Sequence, residues 1–445
     1  MGVLCMAVQP CLGQLCNTRD YVTIVLEPDH ADWVYAPDEE VQISLSVRRH
    51  YCAMSDMEVR CEWGKELRDA EKVWTINTGK QGEVRLKLKG QKEPGFKTLM
   101  TKVTYEGKEY TNYINVAIAP EQIAPTVPNP DDFDAFWAQA VADVRRVPLQ
   151  PMMTLQPELC TAECDVYEIR FQNHKPGCYL YGMLSVPKQS AISGLYEARM
   201  PAVIEWPGAG VKPHRGIQGE LARHGCAVLE MGVNGIPVNR DDDFYRDLKA
   251  NGLSEYWTIY NDDRDKYYYK KIYAGTVKAA DFLCTLPFVD STRIAVTGGS
   301  QGGALSIIHA ALDPRVKCVS AAYPALCEIA GYYYGRVGGW PRILRDPKEV
   351  ALDRKAQVSA YYDVVNFARR LHCPVKMFIG YNDRTCCPTS TYAAYNVIPL
   401  VESQKSKVES GEVTKELFLP LDCAHWQYPE HREERHLWVV RRLNE

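Results

Sequence analysis

The sequence predicts two domains of different class: an all-β, immunoglobulin-like sandwich over residues 21–118, then a doubly wound α/β sheet over residues 131–445. Three observations predict this. Apolar residues alternate with polar ones before residue 120, prolines cluster between 120 and 130, and short apolar strands alternate with helical patterns from about residue 165.

The first stretch, Met1 to Gln14, is apolar and uncharged, with the first basic residue at Arg19. It reads as the hydrophobic part of a secretory signal, so residues 1–20 are set aside as a leader. In the sandwich, Val41, Ile43, Leu45 and Val47 alternate with Gln42, Ser44, Ser46 and Arg48, as Val84, Leu86 and Leu88 do with Arg85, Lys87 and Lys89. That period of two marks half-buried antiparallel strands. Pro120, Pro125, Pro128 and Pro130 then form a stiff linker over residues 119–130. Asp131 and Asp132 open a helix whose apolar face is Phe133, Phe136, Trp137, Val141 and Val144, the acids suiting the positive end of its dipole. Beyond it, Ala202–Trp206, Ala227–Met231, Arg293–Thr297, Val316–Ala322, Val375–Ile379 and Glu416–Pro420 read as buried strands, with helices such as Tyr273–Leu286 and Gln301–Leu312 between them.

Composition narrows the function classes. Hydrophobic residues make up 46% of the 445 and charged residues 24%, enough for a sizeable core. Lys plus Arg number 52 against 56 acids, a net charge of −4, which argues against a general nucleic-acid or anionic-membrane binder. No run reaches the roughly 18 apolar residues of a membrane span. Sixteen cysteines lack the paired short spacings of a zinc site, so most read as buried free thiols.

The chemistry concentrates at Gly298-Gly299-Ser300-Gln301-Gly302-Gly303, which follows one predicted strand and opens a helix. A nucleophile elbow needs that context, with glycines permitting a tight turn that lifts the serine above the sheet. By composition alone, Gly-x-Ser-x-Gly arises by chance in roughly one chain in seven of this length, so its partners decide its value. Asp383 follows the strand Val375–Ile379 and His425 follows Glu416–Pro420, giving the order Ser300, Asp383, His425 of α/β-hydrolases. His425 takes the serine proton and returns it to the leaving alcohol, while Asp383 holds the imidazole tautomer. Asp363 and Asp422 are spare acids. His431 and His436 compete with His425 from a charged tail that reads as solvated, and His309 reads as a packed or surface histidine. The amide of Gln301 and that of Ala209, in the loop Pro207-Gly208-Ala209-Gly210, are the expected oxyanion donors. Trp206, Tyr334 and Trp340 are the candidate substrate contacts, with Tyr256, Trp257, Tyr260, Tyr332 and Tyr333 as further aromatics that either line a subsite or pack a core.

Several separated segments resemble the acetyl xylan esterase / cephalosporin C deacetylase family. They are Asp132-Phe133-Asp134-Ala135-Phe136-Trp137, Tyr267-Tyr268-Tyr269, Val289-Asp290, the run Arg293 to Gly303, Asp313 to Lys317, and Asn382 to Asn396. The resemblance covers about residues 130–435 and implies an α/β-hydrolase that removes small acyl groups, mainly acetyl, from sugar hydroxyls without a metal. The chain departs from that pattern where the family usually has His-Gly-Tyr and this sequence has Pro207-Gly208-Ala209. It departs again at Asn234-Gly235-Ile236, where Arg-Gly-Gln is usual, and at Trp426, where Glu is usual.

The sequence therefore leads to a serine carboxylic-ester hydrolase of periplasmic or secreted location, acting on acylated carbohydrate through a Ser300–His425–Asp383 triad and an acyl-enzyme. No cofactor, metal, nucleic acid or membrane span is expected, and a homo-oligomer stays open. The alternatives are an esterase for bulkier acyl or aryl esters and a non-catalytic carbohydrate-binding protein. Because all triad candidates lie beyond the linker, the sandwich is expected to be separable from the chemistry.

Overall fold

Alternation in the first hundred residues translates directly into two sheets sharing one core. In the computed structural model, which describes residues 22–188, 199–214, 219–399 and 415–445, Val41, Ile43, Leu45 and Val47 are all fully buried. The proposed leader falls outside the described residues. Strands β1 (Val22–Pro28), β3 (Val41–Arg49), β4 (Cys52–Ala53) and β7 (Glu83–Leu88) form one sheet, with β1, β4 and β7 each antiparallel to β3. Strands β2 (Val34–Tyr35), β5 (Glu58–Lys65), β6 (Ala70–Asn77), β8 (Gly95–Tyr105) and β9 (Lys108–Ile118) form the other, in the order β2-β9-β8-β5-β6. Ile24, Ile43 and Leu86 of one sheet and Trp63, Leu99 and Val116 of the other belong to a single apolar cluster, as a sandwich requires.

The later strands are β10 (Met152–Leu155), β11 (Cys164–Gln172), β12 (Tyr179–Pro187), β13 (Met200–Trp206), β14 (Ala227–Met231), β15 (Val289–Gly299), β16 (Val316–Ala322), β17 (Val375–Phe378) and β18 (Lys415–Phe418). They build one sheet in the order β10-β11-β12-β14-β13-β15-β16-β17-β18. Strands β10 to β12 are antiparallel to their neighbours, and everything from β14 to β18 is parallel. The central strands carry almost no exposed side chain, as parallel strands covered on both faces should. The reversal in order at β14-β13-β15 is a topological switch point, where open α/β sheets place their sites outside the strands' carboxyl ends.

Two helix expectations are adjusted. The helix expected at Tyr273 spans Tyr268–Cys284, because Tyr269 and Tyr273, four residues apart, both lie on its buried face. The helix Phe133–Arg146 has Asp132 as N-cap, but the carboxylate makes no capping bond and instead accepts from Arg264, at 2.8 Å, and from the Tyr361 hydroxyl. The helix Gln301–Leu312 begins and ends where the sequence places it. None of the 13 described cysteines forms a disulfide, and nine are buried.

By contacts the chain divides into two units. The first comprises Met1–Ala124, Ile379–Tyr392 and Leu419–Trp426; the second comprises Pro125–Phe378, Ala393–Phe418 and Gln427–Glu445. The loops carrying Asp383 and His425 thus group with the sandwich, while Ser300 belongs to the unit that holds the nine-stranded sheet. Among the described residues no helix is long and apolar enough to cross a membrane.

Candidate active site

In the second unit, β15 ends at Gly299 and the next helix starts at Gln301, leaving Ser300 alone at the corner with φ 58° and ψ −122°. A non-glycine residue there is strained by on the order of 1–3 kcal/mol, so the surroundings must hold it. They do so through backbone contacts. Ser300 N–H donates to Ala322 O at 3.0 Å, and Ser300 O accepts from Ala325 N–H at 3.0 Å. A Cβ on Gly298 would lie 2.7 Å from the Trp206 carbonyl oxygen, one on Gly302 2.1 Å from that same oxygen, and one on Gly303 2.7 Å from Ala322 O. The three glycines let the helix start pack directly onto the backbones of β13 and β16.

Gln301 is completely buried, and its side chain does work the sequence did not reveal. Its Oε1 accepts from both the Tyr256 and Tyr269 hydroxyls at 2.7 Å, and Tyr256 in turn accepts from the Gly210 amide at 3.3 Å. Asn234 Nδ2 donates to Gly210 O at 3.3 Å, and the Tyr268 hydroxyl donates to Asn234 Oδ1 at 3.3 Å. Burial pushes the Tyr256 and Tyr269 hydroxyls above the usual phenol range, so both remain protonated donors. The loop Pro207–Gly210 is therefore tied to the elbow helix by a tyrosine relay. Tyr256, expected among the aromatic subsite candidates, is fully buried and serves that relay instead. The signal lay in the run Tyr267-Tyr268-Tyr269, which carried the resemblance without a role.

The other aromatics differ in exposure. Trp206 is 2% exposed and meets His309 edge-on at 5.6 Å, so its ring is core. His309 itself is fully buried and packed. Tyr334 is 41% exposed beside Tyr333, and Trp340 meets Trp257 edge-on at 5.1 Å. Trp257 lines a cavity of about 730 Å³ with Asn261, Arg342, Arg345, Asp346 and Lys355.

In the first unit, Asp383 is fully buried and its two oxygens have separate tasks. Oδ1 accepts from the amides of Thr385 at 2.7 Å and Cys386 at 2.9 Å, while Oδ2 faces His425 Nδ1 at 2.8 Å. The amides fix the carboxylate plane, and the carboxylate fixes which imidazole nitrogen carries the proton. The His425 side chain keeps 29% of its surface open. One ligand-type atom from each of Asp383, Cys386 and His425 lies within 4.8 Å of the others, though two of the three already bond each other.

The competing acid Asp363 and the competing histidines have structural employment. Asp363 is fully buried, caps the helix Val364–Ala368 and accepts from the amides of Glu328, Ile329 and Val365. His431 packs between Phe418 and Tyr428. His436, expected to be solvated, is fully buried and bonds Glu220 Oε2 through Nδ1 at 2.8 Å, because the terminal helix lays Trp438, Val439 and Leu443 against the sheet's apolar cluster.

A family model described as acetyl xylan esterase matches residues 121–416. Acetyl esterase Axe7A of Xylanibacter ruminicola is 34% identical over 433 residues, covering 95% of this chain and 91% of its own length. The chain belongs to the acetyl xylan esterase family. It is, as such, a carboxylic-ester hydrolase with an α/β-hydrolase sheet. Among solved structures, the acetyl xylan esterase from Paenibacillus sp. R4 is 27% identical with a TM-score of 0.58, covering 72% of this chain and 97% of that one. Acetyl xylan esterase 1 from Thermoanaerobacterium sp. JW/SL YS485, at 23% identity and a TM-score of 0.56, agrees in fold over 73% of this chain and 97% of its own. The sandwich of this acetyl xylan esterase family member lies outside the part that the family model matches. The family model begins at residue 121, yet the relative from Xylanibacter ruminicola aligns over nearly the whole chain.

Proposed function

We propose that the protein removes acetyl groups from acylated carbohydrate hydroxyls by a Ser300–His425–Asp383 mechanism with an acyl-enzyme. The observation that carries this reading furthest is the 2.8 Å bond between Asp383 Oδ2 and His425 Nδ1, made by a carboxylate already oriented by two backbone amides. In the proposed reaction His425 Nε2 accepts the Ser300 proton as Oγ attacks the acyl carbon. The first amides of a helix lack intrahelical acceptors, so Gln301 N–H donates to the developing oxyanion, joined by the Ala209 amide of the loop that the tyrosine relay holds. Collapse expels the sugar alcohol, which takes the proton from His425. Water then repeats the sequence on the acyl-serine, releasing acetate. Tyr334 and Trp340 are the proposed sugar contacts. The proposed site of action is periplasmic or secreted, a reading that rests on the apolar, uncharged composition of residues 1–14.

A second reading concerns acyl size. Ala209 and Ile236 stand where the family usually has tyrosine and glutamine, favouring a wider, more apolar acyl pocket that also takes butyryl or aryl esters. Each buried methylene is worth about 0.8 kcal/mol, roughly fourfold in specificity constant. The deciding experiment measures acetate released from acetylated xylo-oligosaccharides, alongside kcat/KM for acetyl, butyryl and benzoyl esters of one alcohol, with a serine-directed fluorophosphonate as label. Acetate release blocked by the label supports the reading. Activity that resists the label, or that is lost to a chelator and restored by zinc, defeats it. A steep fall beyond acetyl rejects the wider pocket alone.

A further inference from the structure

We infer that Asn382 is a positioning residue for the acid–base pair, and that the N-terminal sandwich, through Tyr113 and Asn115 of β9, holds it in place. The inference rests on the reading of Asp383 and His425 as acid and base, and every contact it uses lies within the first unit.

Asn382 precedes Asp383 and is 1% exposed. All four of its polar groups are engaged. Its N–H donates to Cys423 O at 3.2 Å and its Nδ2 to Asp422 O at 3.4 Å, which ties the loop of the acid to the loop of the base. Its Oδ1 accepts from the Asn115 amide at 2.9 Å and its carbonyl from the Tyr113 hydroxyl at 2.9 Å, which ties both loops to the sandwich. Asn115 completes the clamp by donating from Nδ2 to Tyr381 O at 2.7 Å, while its own Oδ1 is fixed by the Thr98 hydroxyl at 2.6 Å. Only a short side chain bearing both a donor and an acceptor meets these demands, and asparagine is that side chain.

The sandwich is built to offer this edge. Strand β9 pairs along its length with β8, but on its other side β2 covers only Ala117 and Ile118. The Asn115 amide is thus left at an open edge, where it would need a partner in a buried setting, and Asn382 Oδ1 supplies one. Packing agrees with the hydrogen bonds. Tyr381 meets Phe96 of β8 edge-on at 4.9 Å, its hydroxyl lies 3.1 Å from that of Tyr392, and Glu66 accepts from the Thr389 amide at 3.3 Å. A Cβ on Gly380 would fall 2.3 Å from Cys423 O, so the two loops are in backbone contact beside the clamp. Between the end of β17 at Phe378 and the helix starting at Pro388, Asp383 sits on a segment without regular structure, and the clamp takes the place of a ladder. The imidazole inherits its position from that segment. Loosening the clamp therefore weakens the carboxylate's hold on the imidazolium formed during turnover.

The test uses the full chain with Tyr113→Phe, Asn382→Ala and the unaltered protein. It measures kcat and KM for p-nitrophenyl acetate across pH, the low-field proton resonance of the carboxylate-bonded imidazole, and cooperative thermal melting. Asn382→Ala is expected to lower kcat about 10- to 100-fold with KM nearly unchanged, since sub-ångström misplacement of a reacting group has effects of this order. It should also move the acidic limb of the kcat/KM profile to lower pH and weaken the low-field resonance. Tyr113→Phe should do the same in smaller measure, a few-fold in kcat. If Asn382→Ala does not fold, Tyr113→Phe decides alone. Folded variants with unaltered kcat and pH profile overturn the inference, and so does a kcat loss in which neither the acidic limb nor the resonance moves. The resonance needs no turnover. Its weakening in the variants of a protein that fails to hydrolyse acetyl esters would uphold the positioning role and sink the esterase mechanism.

Discussion

Of the residues proposed for the reaction, Ser300 in one unit and the Asp383–His425 pair in the other are held by different means. Ser300 is fixed locally, by steric closeness and two backbone hydrogen bonds: three glycines let a helix start touch two strands, and Ala322 O and Ala325 N–H hold the strained corner. Asp383 and His425 sit on irregular loops held by hydrogen bonds, and three of those on the adjoining Tyr381 and Asn382 come from residues more than 260 positions earlier in the chain. A strand–turn–helix corner is a local device that six consecutive residues can write. A loop-borne acid–base pair must borrow order from elsewhere, and here it borrows from a sandwich that the sequence alone presents as separable. The contacts give the opposite expectation, because removing β8 and β9 strips the acid loop of Phe96, Tyr113 and Asn115.

The comparison is sharpest at Ser300. Ser300→Ala is expected to lower ester turnover by about 10⁴-fold or more while leaving the melting transition in place, since alanine tolerates the corner as well as serine and loses only the hydroxyl. Asp383→Asn should also fall steeply, with a changed pH profile that Ser300→Ala cannot show. Steady-state rates on a purified, folded variant that keep more than a few per cent of normal activity would displace Ser300 from its role. The steric account is tested two positions further on. Gly302→Ala forces a Cβ to 2.1 Å from Trp206 O, a backbone atom that cannot swing aside. A loss of more than about 3 kcal/mol in unfolding free energy, or no soluble protein, is the expected result. Denaturant titration showing a loss below about 1 kcal/mol would mean the corner is not sterically locked.

The same contrast explains what was legible in the sequence. Strands β13 to β18 and the helix Gln301–Leu312 could be placed because their apolar runs and glycine punctuation act over a few residues. Asp383 and His425 could be named because each follows a strand end in a known order. The clamp at Asn382 could not be read, since Asn115 lies 267 residues away and nothing in its own neighbourhood distinguishes it from any strand asparagine. Tyr256 stayed open between subsite and core for a related reason. A tyrosine before a tryptophan looks like a sugar platform until its hydroxyl is seen bonding Gln301 Oε1. His436 looked solvated because charge surrounds it in sequence, whereas the helix turns it inward onto Glu220.

The two halves should also differ in acid. His309, on the elbow helix, and His436, on the terminal helix, are buried in the second unit, and burial depresses both, His436 to about 4. Arg435 pushes His436 further down, while Glu220 partly opposes this. Above the ordinary histidine value of about 6.5, both rings are neutral whether folded or unfolded, and they contribute no pH dependence. As pH falls below that value the unfolded chain takes up protons that the folded chain refuses, so stability declines until the folded value near 4 is passed. For His436 the loss is on the order of 3 kcal/mol at most. Melting temperature followed from about pH 8 down to about pH 4 should fall, and His436→Gln should flatten part of that slope. Hydrogen exchange over 301–312 should rise before exchange over 95–118. Simultaneous loss of protection in both segments would show that acid does not distinguish the two halves.

The smallest expected effect comes from the tyrosine relay, and it asks whether side-chain hydrogen bonds also set the geometry around Ser300. Tyr256 joins the Gly210 amide to Gln301 Oε1, so Tyr256→Phe removes one donor and one acceptor without changing ring packing. Gln301 Oε1 keeps Tyr269, while the Gly210 amide loses this partner. The neighbouring Ala209 amide, the proposed second oxyanion donor, is then less firmly oriented, whereas the corner at Ser300 is untouched. A net hydrogen bond of about 1 kcal/mol corresponds to roughly fivefold, and the effect should appear in kcat for acetyl esters with little change in KM, because the oxyanion exists only in the transition state. Fluorophosphonate labelling should slow by a similar factor, since that reaction also develops charge on an oxygen held by the same amides. Tyr269→Phe removes a donor to Gln301 but leaves Gly210 its partner, so it should lose stability rather than kcat. If the two phenylalanine variants lose kcat equally, the relay acts on the elbow helix and not on the loop, and hydrogen bonding would then matter on the serine side as it does beside Asp383.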